Sequence, residues 1–249
     1  MTIEQQVHDY RGYILQSAHG KNIKKYCGKR PRLYDLACGI GAIIPYIHDS
    51  DYTGIDIDPE RINTARKKYP SCDFRVGDCT QTELPTQSAD CVLSCETFEH
   101  IPDWLSFVRE LNRVLKNGGI LLFSTPTTNL YCYPSYFIRM LLFNRPAALR
   151  KMFHWLYDWK TACDYHPSTT KKDIISVLKL AGFEILEYKT VLSFYEHHYI
   201  YRLLLLWEKI QPDSNVRNWL CDKWMKTHNW LTDLIPQLGT RHIIVGRKA

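Results

Sequence analysis

An α/β fold assembled from strand–helix–strand units is what this sequence predicts, and three observations predict it. Leu33-Tyr34-Asp35-Leu36-Ala37-Cys38-Gly39-Ile40-Gly41 runs from a short apolar strand into a turn of small residues. Tyr52-Thr53-Gly54-Ile55-Asp56-Ile57 is a second apolar strand, and Asp58-Pro59-Glu60 after it reads as a helix start, with proline in the first turn and acids at the positive end. Two further strand-like runs, Cys72 to Val76 and Ala89 to Ser94, also lead into polar or acidic ends.

Each element has a local reason. Leu33 to Leu36 are apolar enough for a buried strand, and Ala42 to Ile47 are expected to open a helix behind the turn. Gly39 and Gly41 allow backbone dihedrals that other residues avoid, and they let a flat or charged small molecule come close to the main chain. Taken alone, such a turn serves equally well as a plain strand-to-helix connection. Asp56 changes that, because it stands 21 positions after Asp35, near the offset at which an acid ending the second strand of a βαβ unit accepts ribose hydroxyls. Gly77-Asp78-Cys79 then places another acid at a strand end. Cys95-Glu96-Thr97-Phe98-Glu99-His100-Ile101-Pro102-Asp103 follows the fourth strand, Ile120 to Ser124 form a fifth, and Lys171 to Ala181 form a helix capped by Ser168 or Thr169 and ended by Gly182.

In this order the motifs resemble those of a class I, Rossmann-like S-adenosylmethionine-dependent methyltransferase. The matching pieces are Asp35 to Gly41, Gly54 to Pro59, Val76-Gly77-Asp78, Glu96 to Asp103, and Arg113-Val114-Leu115-Lys116-Asn117-Gly118-Gly119, spanning about residues 30 to 128. The resemblance implies a mostly parallel seven-stranded sheet with helices on both faces, its last strand, Arg241 to Gly246, antiparallel. It also implies a cofactor site of Asp35, Ala37, Cys38, Gly39 and Gly41 around the methionine part of S-adenosylmethionine, Asp56 at the ribose, and Asp78 with Cys79 at the adenine, with Ile57 and Cys95 among the cofactor-binding positions. Ala37 departs from the family turn, whose first residue is glycine. For Asp78 the plain alternative is a turn or helix cap.

An NAD-dependent oxidoreductase also places an acid after its second strand. The Gly-x-Gly-x-x-Gly pattern is not met here, because Ala37 and Ala42 stand where its outer glycines would be sought, and the chain does not repeat the unit in a second half. A non-catalytic binding module on the same fold is a further alternative, set against the presence of Asp35, Asp56 and Asp78 together.

The chain of 249 residues is 45% hydrophobic, enough for one methyltransferase domain over 1–249 with additions. Its nine cysteines are scattered, with no Cys-x-x-Cys pair, so a reduced cytoplasmic protein without a metal site is expected. No signal peptide or apolar run of membrane-spanning length is read from the sequence. The net charge of +6 concentrates in residues 131 to 160, where Arg139, Arg145, Arg150, Lys151 and Lys160 face Asp158 alone.

That basic stretch lies in the first of two insertions, about 128–165 and 193–237, which hold six of the seven tryptophans. They are expected to form a helical lid that selects the substrate. A second reading makes them an aromatic, basic surface for a lipid-linked acceptor, touching a membrane peripherally. Nucleic acid is the least favoured partner.

Methyl transfer from an activated sulfonium needs chiefly an aligned acceptor, and an oxygen acceptor of high pKa needs a base as well. Glu99 and His100 are candidates, expected on one helical face with Glu96 by i, i+3 and i+4 spacing. The bland reading is that the acids complement a helix N-terminus and His100 packs. His166, ahead of Pro167-Ser168-Thr169-Thr170, resembles a substrate-facing position of the family. The Asn-Pro-Pro-Tyr motif of base and glutamine N-methyltransferases is missing, so an oxygen of a small, sugar or lipid-linked molecule is the expected target, with a carbon or nitrogen atom, or a nucleic-acid or protein acceptor, as the alternatives and S-adenosylhomocysteine as by-product. An N-terminal helix around Gln5 to Ser17 is expected to close over the cofactor or to pack.

Overall fold

A computed structural model describes residues 18–29, 31–47, 50–126, 170–191 and 241–249, together with isolated helical positions between 207 and 234. By contact density the chain divides into two compact units. One, residues 12–125, 171–189 and 242–249, carries most of the sheet; the other comprises 1–11, 126–170 and 190–241. The predicted first insertion, His166, the proposed cap at Ser168 or Thr169 and the predicted helix of residues 5–17 lie outside the described residues, as does most of the second insertion.

Seven strands form one sheet: β1 Arg32–Leu36, β2 Asp51–Asp56, β3 Asp73–Val76, β4 Ala89–Cys95, β5 Leu115–Pro126, β6 Phe183–Val191 and β7 Arg241–Lys248. Their order is β3-β2-β1-β4-β5-β7-β6, with parallel pairing from β3 through β5. The chain winds outward from β1 to β3 and then restarts at β4 on the other side. This reversal leaves a crevice at the carboxyl ends of β1 and β4, where open α/β sheets bind ligands. β7 enters antiparallel: Tyr188 bonds His242, Glu184 pairs with Arg247, and Ala249 N–H donates to Gly182 O, so one strand descends as the other climbs.

Side chains alternate between two cores, as a sheet covered on both faces requires. Leu36, Val92, Leu121 and Phe123 join a cluster with Phe107 and Leu111 of helix α3 (Trp104–Val114) and Ile174 and Leu178 of α4 (Lys171–Leu180). Leu33, Cys91, Leu93 and Leu122 join Ile23 of α1 (residues 18–26) and Ile62 and Ala65 of α2 (Pro59–Lys68) on the opposite face.

The helix starts follow their sequence signals. Asp58 caps α2 by accepting from Glu60 N at 2.8 Å and Arg61 N at 3.3 Å, with Pro59 in the first turn. Asp103 caps α3 through Ser106 N at 3.0 Å. Two expectations are corrected. Residues 42–47 make only a 3-10 turn at Ile44–Tyr46, because Pro45 lacks the N–H that would extend it and Ile47 leaves the helical region. β5 begins five residues before Ile120, since Leu115 already pairs with Ala89 across a register shift that Gly118, at φ +75°, accommodates.

Candidate active site

Asp35, the fourth residue of the short β1, sits between Gly54 of β2 and Leu93 of β4. It is 4% exposed, and the Tyr52 hydroxyl donates to its Oδ2 at 2.9 Å. Tyr52 pairs with Leu33, two residues earlier on the same face, so the contact follows from parallel register. Burial pushes the Asp35 carboxyl up to about 7, the Tyr52 bond pulls it back in part, and the nearby Asp56 charge adds to the rise. A buried carboxyl held by one neutral donor, beside a second carboxylate, is a place for a cation.

The turn behind β1 is fastened to β2. Ala37 N and Cys38 N both donate to Ile55 O, at 2.8 and 2.9 Å, and Gly39 N donates to Asp56 Oδ2 at 2.8 Å. Asp56 Oδ1 accepts from Asp58 N at 3.0 Å. Each carboxylate oxygen of Asp56 thus bonds one backbone N–H and keeps capacity for a second donor, enough for a vicinal diol. Ala37, standing where the family has glycine, is held at φ +67°, in the left-handed region. Above Gly39, at φ +55°, nothing lies within 4 Å of where a Cβ would stand, so the turn opens onto free space for a ligand. Ile57, 72% exposed, offers an apolar surface just past β2.

Asp78 is exposed past the end of β3 and accepts from Thr80 N and Thr80 Oγ1, both at 2.8 Å through Oδ1. The turn-capping alternative therefore holds for that oxygen. Asp78 also lines a cavity of about 470 Å3 with Ile55, Arg75, Gly77, Gln81 and Glu83. Burial raises the thiols of Cys38 and Cys95, and that of Cys79 to about 12, so all three stay protonated and act as small packing groups.

The segment after β4 departs from expectation. Glu96 adopts φ +54° with its N–H on Ser124 O at 2.9 Å, and the following 3-10 turn holds only Phe98–His100. Glu96, Glu99 and His100 therefore share no helical face. Glu99 is buried and accepts from Thr125 Oγ1 at 3.0 Å, whereas His100 is half exposed with Nε2 3.9 Å from Glu99 Oε1, beyond hydrogen-bond reach. Among the described residues no three His, Cys, Asp or Glu side chains converge on a possible metal position.

The residues present fit S-adenosylmethionine: Asp35 would take the ammonium, Gly39 and Gly41 would allow close approach, Asp56 would hold the ribose, and Asp78 would face the adenine. The sequence reading missed Tyr52, which strand parity would have found.

The comparisons agree with this geometry. Synechocystis 2-methyl-6-phytyl-1,4-hydroquinone methyltransferase is 37% identical over 94 residues, 35% of this chain and 30% of that protein. The Campylobacter jejuni ubiquinone/menaquinone biosynthesis C-methyltransferase is 26% identical over 184 residues, 66% of this chain and 75% of that protein. The chain spans about a third of the length of the relatives it matches at 37–40% identity. Haemonchus contortus phosphoethanolamine N-methyltransferase 2, solved with S-adenosyl-L-methionine, shares the fold at a TM-score of 0.58 and 16% identity, over 93% of this chain and 52% of its own. A methyltransferase-domain family matches residues 34–123, the stretch from β1 into β5 that builds the crevice, and over that stretch the chain is similar to S-adenosylmethionine-dependent methyltransferases.

Proposed function

We propose that the protein transfers the methyl group of S-adenosylmethionine to a hydroxyl oxygen of a lipid-linked acceptor. When bound, the cofactor supplies a methyl group already activated by the positive sulfonium. The chain's own work is to hold and align. Asp35 balances the ammonium, Asp56 fixes the ribose while bracing the turn, and the buried thiols of Cys38 and Cys95 leave that side of the crevice weakly polar.

The observation that carries the methyl-transfer part is the joining of Asp35, Gly39 and Asp56 at one strand reversal. Supporting the acceptor class is the phytyl hydroquinone named for the similar Synechocystis methyltransferase. A second support lies in the other unit, where exposed Val216, Trp219, Leu220, Trp230 and Leu234 recur at helical spacing. An exposed apolar face with tryptophans suits peripheral contact with a lipid surface. Methylation of a ring carbon beside a hydroxyl is the second reading, favoured by the C-methyltransferase among those relatives.

Calorimetric titration with S-adenosylhomocysteine, with NAD as control, tests the cofactor part. Micromolar binding that disappears in Asp56→Ala is expected; binding of NAD alone refutes it. Isotope-labelled methyl transfer to a prenylated hydroquinone, a soluble sugar and a short peptide then tests the acceptor, with the labelled atom located by NMR. Label on the sugar or the peptide alone overturns the lipid assignment. Co-sedimentation with anionic vesicles at moderate salt is expected, and its absence removes the membrane contact.

A further inference from the structure

Two residues of β2 build the setting of Asp35. Gly54 is its direct partner in parallel register, and Tyr52 stands two residues earlier on β2, opposite Leu33. The Tyr52 ring packs edge-on to Phe74 of β3, with centroids 5.6 Å apart at 65°, and its hydroxyl reaches Asp35 Oδ2 at 2.9 Å. Position 54 leaves the room for this contact. A Cβ there would stand 2.8 Å from the Tyr52 hydroxyl oxygen, 2.8 Å from Cys38 Sγ and 2.9 Å from Phe74 Cδ1. Gly54 is not among the glycines at positive φ, so it serves here by its small size rather than by its dihedral freedom.

Packing alone does not call for the hydroxyl. Tyr52 is buried in a cluster with Leu33, Cys91 and Leu93, which a phenylalanine ring would fill as well. Burial and the Asp35 charge raise the Tyr52 hydroxyl well above its ordinary range, so it stays protonated and donates throughout neutral pH. The other titratable groups acting on Asp35 or feeling its charge are Asp56 at the end of β2, Cys38 in the turn, and Cys91 and Cys95 of β4. Burial keeps the three thiols protonated, and the Asp56 charge opposes ionisation of Asp35. Among the described residues, the Tyr52 hydroxyl is therefore the neighbour that favours a charged Asp35.

We propose that Tyr52 is a positioning residue for the cofactor: its bond to Oδ2 fixes the Asp35 carboxylate, keeps it charged for the ammonium of the methionine part, and so sets the pH range over which the cofactor is held. This rests on the methyltransferase reading above. Burial lifts the Asp35 carboxyl to about 7 even with the hydroxyl in place. Without that donor the carboxyl rises further, and a protonated Asp35 offers the ammonium no charge.

Tyr52→Phe keeps the ring and removes the oxygen. In the ligand-free full chain, carboxyl-carbon NMR is expected to place the Asp35 midpoint about one pH unit higher in this variant than in wild type. Calorimetric titration with S-adenosylhomocysteine is then expected to give binding about tenfold weaker than wild type at pH 6 and within about twofold of it at pH 8.5. Gly54→Ala, which crowds the hydroxyl away from Asp35, is expected to shift both readouts in the same direction. Tyr34→Phe, which removes a hydroxyl bonded to Ser88 Oγ at 3.1 Å in the cluster on the opposite face, is expected to shift neither. An unmoved Asp35 midpoint in Tyr52→Phe, a loss of affinity equal at both pH values, or an equal shift in Tyr34→Phe overturns the proposal. Failure of the wild type to bind S-adenosylhomocysteine at either pH instead defeats the methyltransferase reading beneath it.

Discussion

Asp35 ties cofactor affinity to pH. Burial lifts its carboxyl from an ordinary 3.8 to about 7, so between those values the folded protein keeps a proton that the unfolded chain has released. Stability therefore falls as pH rises through that window, the reverse of a salt-bridged carboxylate. An ammonium beside Asp35 favours the ionised form. Affinity for S-adenosylhomocysteine is accordingly expected to climb as pH rises towards 7 and to level off above it, and Asp35→Asn to flatten this profile with about a tenfold loss at pH 8, roughly 1.4 kcal/mol. Calorimetry between pH 5.5 and 8.5 reads both. Asp56→Ala acts differently, since it removes an acceptor for the ribose and also frees Gly39 N and Asp58 N; a loss of about 1–3 kcal/mol in binding is expected, with some loss of stability. Ala37 offers the opposite sign. Its φ of +67° is a conformation glycine adopts without penalty, so Ala37→Gly should stabilise the fold by about 0.5–1 kcal/mol, read as a higher urea midpoint at unchanged m-value.

At the scale of elements, what the sequence disclosed were the strands and their acidic ends. Short apolar runs stopped by Gly39, Asp56 and Asp78 are local signals, and β1 to β4 appear within a residue or so of expectation because nothing distant competes with them. The segment after β4 was not legible, because the left-handed backbone of Glu96 depends on its bond to Ser124 across the sheet rather than on its own neighbours. The turn behind β1 was readable as flexible, yet its role as a packed joint was not. Gly41 stands at φ +75°, and a Cβ there would come within 2.9 Å of Ile44 Cδ1, 3.1 Å of Phe74 Cζ and 3.2 Å of Tyr69 Cδ2. Gly41→Ala is therefore expected to cost about 1–3 kcal/mol through strain and crowding, where Asp58→Ala, losing the α2 cap and an exposed ion pair with Arg61, should cost about 1 kcal/mol. Urea unfolding of both variants separates the two magnitudes.

At the scale of the whole molecule, the winding of the chain explains why residues distant in sequence meet at one crevice. β1 and β4 are separated by more than fifty residues yet pair directly, so the turn after one and the segment after the other face the same space. The division into two units adds a consequence for ligand binding. The groups assigned to the cofactor, Asp35 through Asp78, all belong to the unit that carries β1 to β4, so a bound cofactor should stabilise that unit by mass action. At a hundred times Kd the gain is about 2.7 kcal/mol. Hydrogen exchange with saturating S-adenosylhomocysteine is therefore expected to slow at Ala37 to Gly41 and at Asp56 to Asp58, and through β1, β2 and β4, while Asp56→Ala abolishes the slowing. Protection spread evenly over residues 207 to 234 as well would mean that the ligand is held by both units, and slowing by NAD in its place would mean that the crevice selects a dinucleotide.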